Sequence, residues 1–416
     1  MSGTRAGTEV ATNRQVLAVP AFRRLAVIWF LTNLGDSSLY ITAAIWVREL
    51  TGSDAAAGLV FAALGLPALV APLSGHLADR VRRRPLLMAT NAGAGLLVLL
   101  LLAVGSPSRV WLVYVVIALY AMTSYVTTAA QSGILRSLLA DRFLAPANGL
   151  LSSLDQGLRT ISPLIGAAVF AVWGMTPVIL LTSGCFLLAA VSLLTLRVEE
   201  APPAPDPGEG FWRSTTAGLR FLAAHPFLRP ATLSLAIAIG ATGVINITNF
   251  ATIDQGLGLP VEMLSVAVSV QGVCSVAGGL TASMVIRRVG VRRTMVMGLL
   301  LLAVGVGGLA TSSVPVVVLS VACVGFGLLW AIVAFVTTRQ QSSPDHLQGR
   351  TAAASTMLFN VPQVAATLLA AVLIGSVDYR VLVIGTAVVG VTGVLPLALL
   401  RDARPGAGRG PRGRRG

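Results

Sequence analysis

An arginine-rich segment, GHLADRVRRRPL at residues 75–86, has a counterpart about 208 residues later, SMVIRRVGVRRTM at residues 283–295. Each segment separates two long apolar stretches. A second pair of loops, ADRFLAPANGL at 140–150 and PDHLQGRTAAA at 344–354, follows nearly the same period. Because this period is half of the 416-residue chain, the sequence predicts an internal duplication of two similar halves, as in many secondary transporters.

The composition favours a membrane protein. Hydrophobic residues make up 55% of the chain and charged residues 11%, and the mean hydropathy is +0.83. A soluble domain carries roughly 25% charged residues, and one soluble core could not bury this much apolar surface. The net charge of +14 comes from arginines clustered between apolar runs, which indicates membrane topology and not nucleic-acid binding.

Charge-free stretches of 24 or more residues recur along the chain. Each is long enough to cross a hydrocarbon core of about 30 Å as a helix. Two longer charge-free runs, 160–196 and 294–338, must each be divided. We predict twelve spans, at residues 22–48, 55–78, 85–105, 110–134, 147–172, 176–196, 229–253, 261–286, 293–311, 314–338, 351–375 and 380–400.

The arginines predict the orientation of these spans. If the chain starts in the cytoplasm, 26 of its 30 arginines lie on the cytoplasmic side, against Arg48, Arg109 and Arg380 on the other side. Cytoplasmic loops carry such an excess of basic residues. We therefore expect a multi-pass protein of the cell membrane with both termini in the cytoplasm. The remaining arginine, Arg159, falls within a span.

The only long polar segment between spans divides the chain into two sets of six. It opens with EEAPPAPDPGEG, a composition typical of a flexible linker, and continues with FWRSTTAGLRFLAAHPF, which favours an amphipathic helix on the membrane surface. The predicted organisation is a cytoplasmic tail at 1–21, a six-helix bundle at 22–196, a linker at 197–228, a second bundle at 229–400 and a basic cytoplasmic tail at 401–416.

The first arginine-rich segment resembles the loop between helices two and three of the major facilitator superfamily. The matching residues are Gly75, Asp79, Arg80, Arg83 and Arg84, while Arg82 replaces the second glycine of the family pattern. The resemblance implies an all-α integral membrane fold of twelve transmembrane helices in two pseudo-symmetric six-helix bundles. It also implies that Asp79 latches the outward-open state by pairing with positive groups or helix ends; the alternative is a loop whose charges only set topology.

Other segments resemble a narrower group, the drug and siderophore exporters that include macrolide efflux proteins. These segments are LGD at 34–36, ELTGSDAAAGLVFAALGLPALVAPLSG at 49–75 and RQQSSPDHLQGR at 339–350. In the fifth span, SPLIGAA at 162–168 resembles an antiporter signature and keeps its proline and one glycine, Pro163 and Gly166. The resemblance implies efflux by antiport.

Three ionisable residues inside predicted spans are candidates for proton coupling. Asp36 lies near the middle of the first span, with Asn33 and Tyr40 on the same helix face. Charges in hydrocarbon are costly and usually line a cavity or pair, and such a carboxylate can bind and release a proton as its surroundings change. The alternative is a structural hydrogen bond. Asp155 and Arg159 in the fifth span either neutralise each other, or Arg159 exchanges between Asp155 and Asp36.

Polar and aromatic residues mark a candidate substrate cavity. The resemblance implies that spans one, four, seven and ten surround it, with contributions from five, eight and eleven. The candidates are Asn33, Tyr40, Tyr120, Ser124, Thr127, Gln131, Asn246, Asn249, Gln271, Trp330, Phe335, Asn360 and Gln363. An apolar, aromatic cavity with scattered amides suits a bulky amphipathic molecule, neutral or cationic, better than a sugar or phosphate ester.

The leading hypothesis is therefore a proton-coupled exporter of a bulky amphipathic drug or natural product. The alternatives are an importer or a siderophore exporter of the same fold. Neither an enzyme, a cofactor nor a metal site is expected, because the three histidines, His76, His225 and His346, are scattered and the three cysteines lie in apolar segments. A phosphate-binding loop for ATP is also missing from the sequence. We expect substrate, protons and lipid as partners, and a functional monomer.

Overall fold

The structure, a computed structural model, describes residues 10–53, 80–196, 216–260, 263–374 and 376–400, together with positions 56, 59, 60, 63, 64, 74, 77, 78 and 198. Throughout these residues the regular secondary structure is helical, without a strand. The α-helices are α1 (Asn13–Leu17), α2 (Pro20–Thr51), α3 (Arg83–Leu99), α4 (Val110–Leu138), α5 (Asp141–Trp173), α6 (Met175–Ser192), α7 (Ala217–Ala224), α8 (Leu228–Thr242), α9 (Ile245–Ala251), α10 (Met263–Val289), α11 (Val291–Gly308), α12 (Val314–Ser342), α13 (Gln348–Leu373) and α14 (Tyr379–Ala398).

Nine of the helical segments in the described ranges are long and apolar enough to cross a membrane. The helices α2 and α5 are 32 and 33 residues long and carry ionisable side chains within them. The second predicted span, 55–78, lies mostly outside the described residues. The outward faces of the helices are apolar, with Leu164, Val304 and Val372 exposed by 68, 66 and 78%, as expected where lipid is the solvent.

Three helices differ from their predicted bounds in ways that matter for the site. The helix α5 begins at Asp141, six residues before the predicted start, because an acidic side chain in the first turn is favourable there. The seventh span is interrupted, since α8 ends at Thr242 and α9 begins at Ile245. The helix α12 continues to Ser342, beyond the charge-free run that ends at residue 338, and so includes Arg339 and Gln340.

The two halves of the chain have separate buried cores. In the N-terminal half one cluster surrounds Ile117 and Tyr120, and a second surrounds Phe22. The C-terminal half has a large cluster that includes Leu235 and Leu299. Separate cores allow each half to remain packed while the contacts between the halves change.

One end of the molecule gathers the arginine-rich loops, and we call it the arginine-rich end. It comprises residues 80–84, 139–142, 287–293 and 339–350 together with the short helix α1. Here α1 bridges the halves, because Asn13 Nδ2 donates to the Leu280 carbonyl at 2.8 Å and Ser283 Oγ donates to Asn13 Oδ1 at 2.8 Å. Val16 of the same helix is fully buried against the N-terminal half.

The two halves pack closely where α5 crosses α10. Ser153 Oγ donates to the Val276 carbonyl at 2.8 Å across this crossing. A methyl group added at Gly149 would clash with the Gly279 carbonyl oxygen. Small residues let transmembrane helices pack this closely, so Gly149 fixes the distance between the halves.

We predict that Gly149→Ala destabilises the protein by about 1–3 kcal/mol, the usual cost of overpacking. Gly385→Ala in α14 is a matched control, because an added methyl group there meets nothing within 4 Å. The measurement is thermal unfolding of the purified protein in detergent. Equal midpoints for the two variants would contradict the close crossing.

Candidate functional site

A central cavity of about 430 Å³ lies between the two halves. Five helices of the N-terminal half line it, α2 to α6, and the C-terminal half contributes α12 and α13. Eight of the residues singled out in the sequence line this cavity: Asn33, Asp36, Ser124, Thr127, Gln131, Asp155, Arg159 and Phe335. The structure therefore places the three candidate proton-coupling residues in one chamber.

Asp36 is held by a buried tyrosine. The hydroxyl of Tyr120, on α4, donates a hydrogen bond to Asp36 Oδ1. Tyr120 is 1% exposed, and its ring packs edge-on against Phe186 with ring centroids 5.6 Å apart. Tyr120 was predicted to contact substrate, but in the structure it positions the Asp36 carboxylate instead. The Tyr40 side chain lies outside the described residues.

Asp155 and Arg159 form an ion pair on the cavity wall. Arg159 Nε lies 3.2 Å from Asp155 Oδ2, and the two side chains are 62 and 32% exposed. Both residues line the same cavity as Asp36. The pair predicted from the i,i+4 spacing is present, and it shares its surroundings with Asp36.

The amide-rich residues of the C-terminal half line a different chamber. Asn246, Asn249, Gln271 and Gln363 surround a second cavity of about 160 Å³ beside the break between α8 and α9. Gln363 Nε2 donates to Thr242 Oγ1 at 3.2 Å, and Asn246 Nδ2 donates to Thr367 Oγ1 at 3.3 Å. Two other predicted contacts, Trp330 and Asn360, line neither cavity in the described structure; Trp330 Nε1 donates to Thr281 Oγ1 at 3.0 Å.

The arginine-rich loop is only partly described, because Gly75 and Asp79 lie outside the described residues. Arg80 is exposed. Arg83 donates to the Gly133 carbonyl at 3.2 Å, to Ser137 Oγ at 3.0 Å and, across the halves, to the Asp345 carbonyl. Arg84 donates to the carbonyls of Leu193 and Leu194, each at 2.9 Å, and so fastens α3 to the end of α6. Arg83 and Arg84 therefore bond to backbone carbonyls, while the latch role of Asp79 stays a prediction.

The sequence analysis missed a buried polar network that joins the two halves where the cavity meets the arginine-rich end. Arg339 Nη2 donates to Ser132 Oγ at 2.8 Å, while Asn148 Nδ2 donates to Gln340 Oε1 at 2.7 Å and to Thr337 Oγ1 at 3.1 Å. Ser132, Asn148, Arg339 and Gln340 also line the cavity. Arg339 ended a charge-free run and was therefore assigned to a loop. The sequence did contain a signal for this network, because Arg339 is followed by the amide of Gln340 directly after the predicted span.

His225 has a structural role at the start of α8. Its Nδ1 accepts hydrogen bonds from the backbone N–H groups of Phe227 at 3.3 Å and Leu228 at 3.1 Å. Partial burial lowers the pKa of His225, which keeps the ring neutral and able to accept these bonds. His225 thus caps a helix N-terminus.

The fold, with its apolar helices around a central cavity, defines a polytopic α-helical membrane protein. The sequence profile described as Major Facilitator Superfamily matches residues 25–252 and 231–416, and the chain belongs to this superfamily. The predicted all-α fold of twelve spans in two bundles is confirmed by this match and by the solved structures that the chain resembles.

Curated relatives align with part of the chain. The chain is 25% identical over 248 residues to the uncharacterized MFS-type transporter YfiS of Bacillus subtilis, covering 58% of each chain. It is 30% identical over 220 residues to the multidrug resistance protein MdtG of Klebsiella pneumoniae, covering 45% of this chain and 48% of MdtG. The chain thus spans about half the length of the curated relatives it matches.

Solved structures match nearly the whole chain. A bacterial homologue of the iron transporter ferroportin, in an outward-facing state, superimposes with a TM-score of 0.75 at 17% identity, covering 91% of this chain and 98% of that one. The Escherichia coli fucose:proton symporter FucP gives a TM-score of 0.74 at 13% identity, covering 92 and 98%. At these identities the likeness shows the fold alone.

We predict that Tyr120→Phe destabilises the protein by about 1.5–3 kcal/mol, because the Asp36 carboxylate loses a buried hydrogen-bond donor. In an Asp36→Asn background the same substitution should cost less than about 1 kcal/mol, because two residues in contact are coupled. Tyr125→Phe, also on α4, controls for loss of a hydroxyl. The readout is denaturant unfolding in detergent, and additive effects would contradict the bond.

Proposed function

We propose that the protein is a proton-coupled antiporter that exports bulky amphipathic drugs or natural products. The observation that carries this proposal is the position of Asp36, a carboxylate within a membrane span that faces the central cavity beside Tyr120. A carboxylate is less costly to bury when it is protonated. Its proton occupancy can therefore change as the cavity is exposed to one side of the membrane and then the other.

The lining of the central cavity supports an amphipathic substrate. Trp29, Phe335 and Phe359 supply aromatic surface, while Asn33, Gln131 and several hydroxyl groups supply neutral hydrogen-bonding groups. Pockets of this kind bind mostly through apolar contact and use a few polar groups for orientation. The name of MdtG, a multidrug resistance protein that aligns with half of this chain, supports efflux as the direction.

The ion pair on α5 supports proton coupling at the same place. Asp155 and Arg159 line the cavity together with Asp36. When Asp36 loses its proton, Arg159 can stabilise the new negative charge, and when Asp36 is protonated, Arg159 remains paired with Asp155. We propose that this exchange links proton occupancy to the state of the cavity.

We further propose that the arginine-rich end faces the cytoplasm, in keeping with the excess of basic residues on cytoplasmic loops. On this orientation the described bonds between the halves close the cytoplasmic end, and we propose that this state is outward-facing. The cavity then releases substrate to the outside and takes up a proton from there. One proton moving across 100 mV supplies about 2.3 kcal/mol.

We predict that cells producing the protein extrude members of a panel of macrolides, dyes and siderophores, and that a protonophore abolishes this efflux. Asp36→Asn should reduce efflux to the level of cells lacking the protein. Glu49→Gln is a matched control on the same helix, because Glu49 is exposed and lies outside the central cavity. The measurement is energised efflux with protein levels in the membrane determined in parallel.

Two results would contradict the proposal. Substrate accumulation in energised cells would establish import. Efflux that survives both the protonophore and Asp36→Asn would exclude Asp36 as the coupling residue. If siderophores alone are extruded, the substrate class is narrower than proposed and the coupling is unchanged.

A further inference from the structure

The second chamber, the cavity of about 160 Å³ beside the break between α8 and α9, lies within the C-terminal half. Its lining combines amides with aliphatic side chains such as Val268 and Val321. Its volume equals that of about five water molecules, below the roughly 300 Å³ at which pockets for drug-sized ligands begin. The chamber therefore has room for one small group and not for a whole drug molecule.

Three polar side chains that line this chamber make no hydrogen bond to any described residue. Asn249 lies on α9, Thr252 lies in the π-helical turn Thr252–Gly256 that follows it, and Gln271 lies on α10. Thr252 is 2% exposed, and its Oγ1 is buried without a partner in the described structure. A buried polar group that makes no hydrogen bond costs free energy, so these three groups favour a ligand that bonds to them.

Two further amides of the chamber are already held in place. Gln363 Nε2 donates to Thr242 Oγ1 at 3.2 Å, and Asn246 Nδ2 donates to Thr367 Oγ1 at 3.3 Å. Each of these amides uses its NH₂ group within the protein and presents an oxygen that accepts nothing from the described residues. Such fixed groups need little ordering when a ligand binds.

The chemistry of the lining selects an uncharged ligand that both donates and accepts hydrogen bonds. Among the described residues that line the chamber, none is ionisable, and a charge buried there would lack a counter-charge. The amides of Asn249 and Gln271 each donate and accept, as do hydroxyl groups on neighbouring carbon atoms. A small hydroxylated ring, of the size of one sugar, meets both requirements.

The second chamber and the central cavity lie one helical turn apart along two helices. On α12, Leu328 lines the second chamber and Ile332 lines the central cavity. On α13, Gln363 lines the second chamber and Phe359 lines the central cavity. Residues four apart share a helix face. The two cavities are therefore neighbours, and a molecule whose body fills the central cavity has a side group within reach of the second chamber.

We propose that the second chamber binds an uncharged, hydroxylated, sugar-sized group of the transported molecule, while the apolar body of that molecule occupies the central cavity. This inference rests on the proposed function and narrows its substrate class to uncharged amphipathic glycosides. The aromatic lining of the central cavity suits the aglycone, and the amides of the second chamber suit the sugar.

The test measures binding by calorimetry to the purified protein in lipid nanodiscs, which avoid sugar-based detergents, with empty nanodiscs as the blank. Two uncharged glycosides are compared with their uncharged counterparts that lack the sugar. The first pair is proscillaridin and its aglycone scillarenin, and the second is 4-methylumbelliferyl glucoside and 7-methoxy-4-methylcoumarin. The wild type should bind each glycoside at least about tenfold more tightly than its counterpart, a difference that two or three hydrogen bonds can supply.

Substitutions within the chamber should remove this preference. Gln271→Met and Asn249→Leu should each reduce it to less than about threefold, and the nearly isosteric Thr252→Val should reduce it in part. These side chains make no hydrogen bond to the described protein, so the variants should remain folded, which gel filtration checks. Gln255→Met is the matched control, because Gln255 is an exposed amide that lines neither cavity, and it should leave the preference unchanged.

A charged sugar of the same size tests the requirement for an uncharged group. The anionic 4-methylumbelliferyl glucuronide should lose the preference that the glucoside has, because the described lining offers its carboxylate no cation. The proposal is overturned if neither glycoside is preferred by the wild type, if Gln271→Met and Gln255→Met have equal effects, or if the glucuronide binds as tightly as the glucoside.

Binding requires no proton gradient, so the outcome is independent of the efflux assay. A glycoside preference without efflux would reject the exporter and keep the second chamber as a binding site. Efflux without a glycoside preference would keep the exporter and reject the sugar-binding chamber.

Discussion

Polar groups within a membrane span have no water to bond with, and the arrangement of this protein depends on that constraint. Each intramembrane polar side chain must find a partner in the protein or face a wet cavity. Asp36 does both, because it accepts a hydrogen bond from Tyr120 and faces the central cavity. Asp155 and Arg159 pair with each other at the same surface. The cavity and its ionisable groups are therefore consequences of one energetic rule.

The same constraint explains how the halves are joined. Bonds such as those from Arg339 to Ser132 and from Asn148 to Gln340 are neutral or involve a single charge, and they are buried. A buried bond between neutral groups is lost at modest cost once both partners find others. An interface made of such bonds can close firmly and still open, as the proposed transport cycle requires.

The fold was largely predictable, and the site was predictable in part. The apolar runs, the arginine distribution and the repeated loops fix helices and their order, because the bilayer imposes length and charge rules on every span. Spacing along a helix also placed Asp36 with Asn33 and paired Asp155 with Arg159. It could not decide that Tyr120 serves Asp36 or that Asn246 and Gln271 occupy a second chamber, because those facts depend on the rotation of one helix against another. Arg339 was missed because the predicted span was ended at residue 338, the last residue before a charged side chain.

The short helix α1 has a consequence for how the chain is made. Its partners Leu280 and Ser283 lie 267 and 270 residues further along the sequence, whereas Val16 packs against the N-terminal half. The bonds of Asn13 can therefore form only after residue 283 has been synthesised, about two thirds of the way along the 416-residue sequence. A chain that ends before that point can bury Val16 but cannot complete the bridge between the halves.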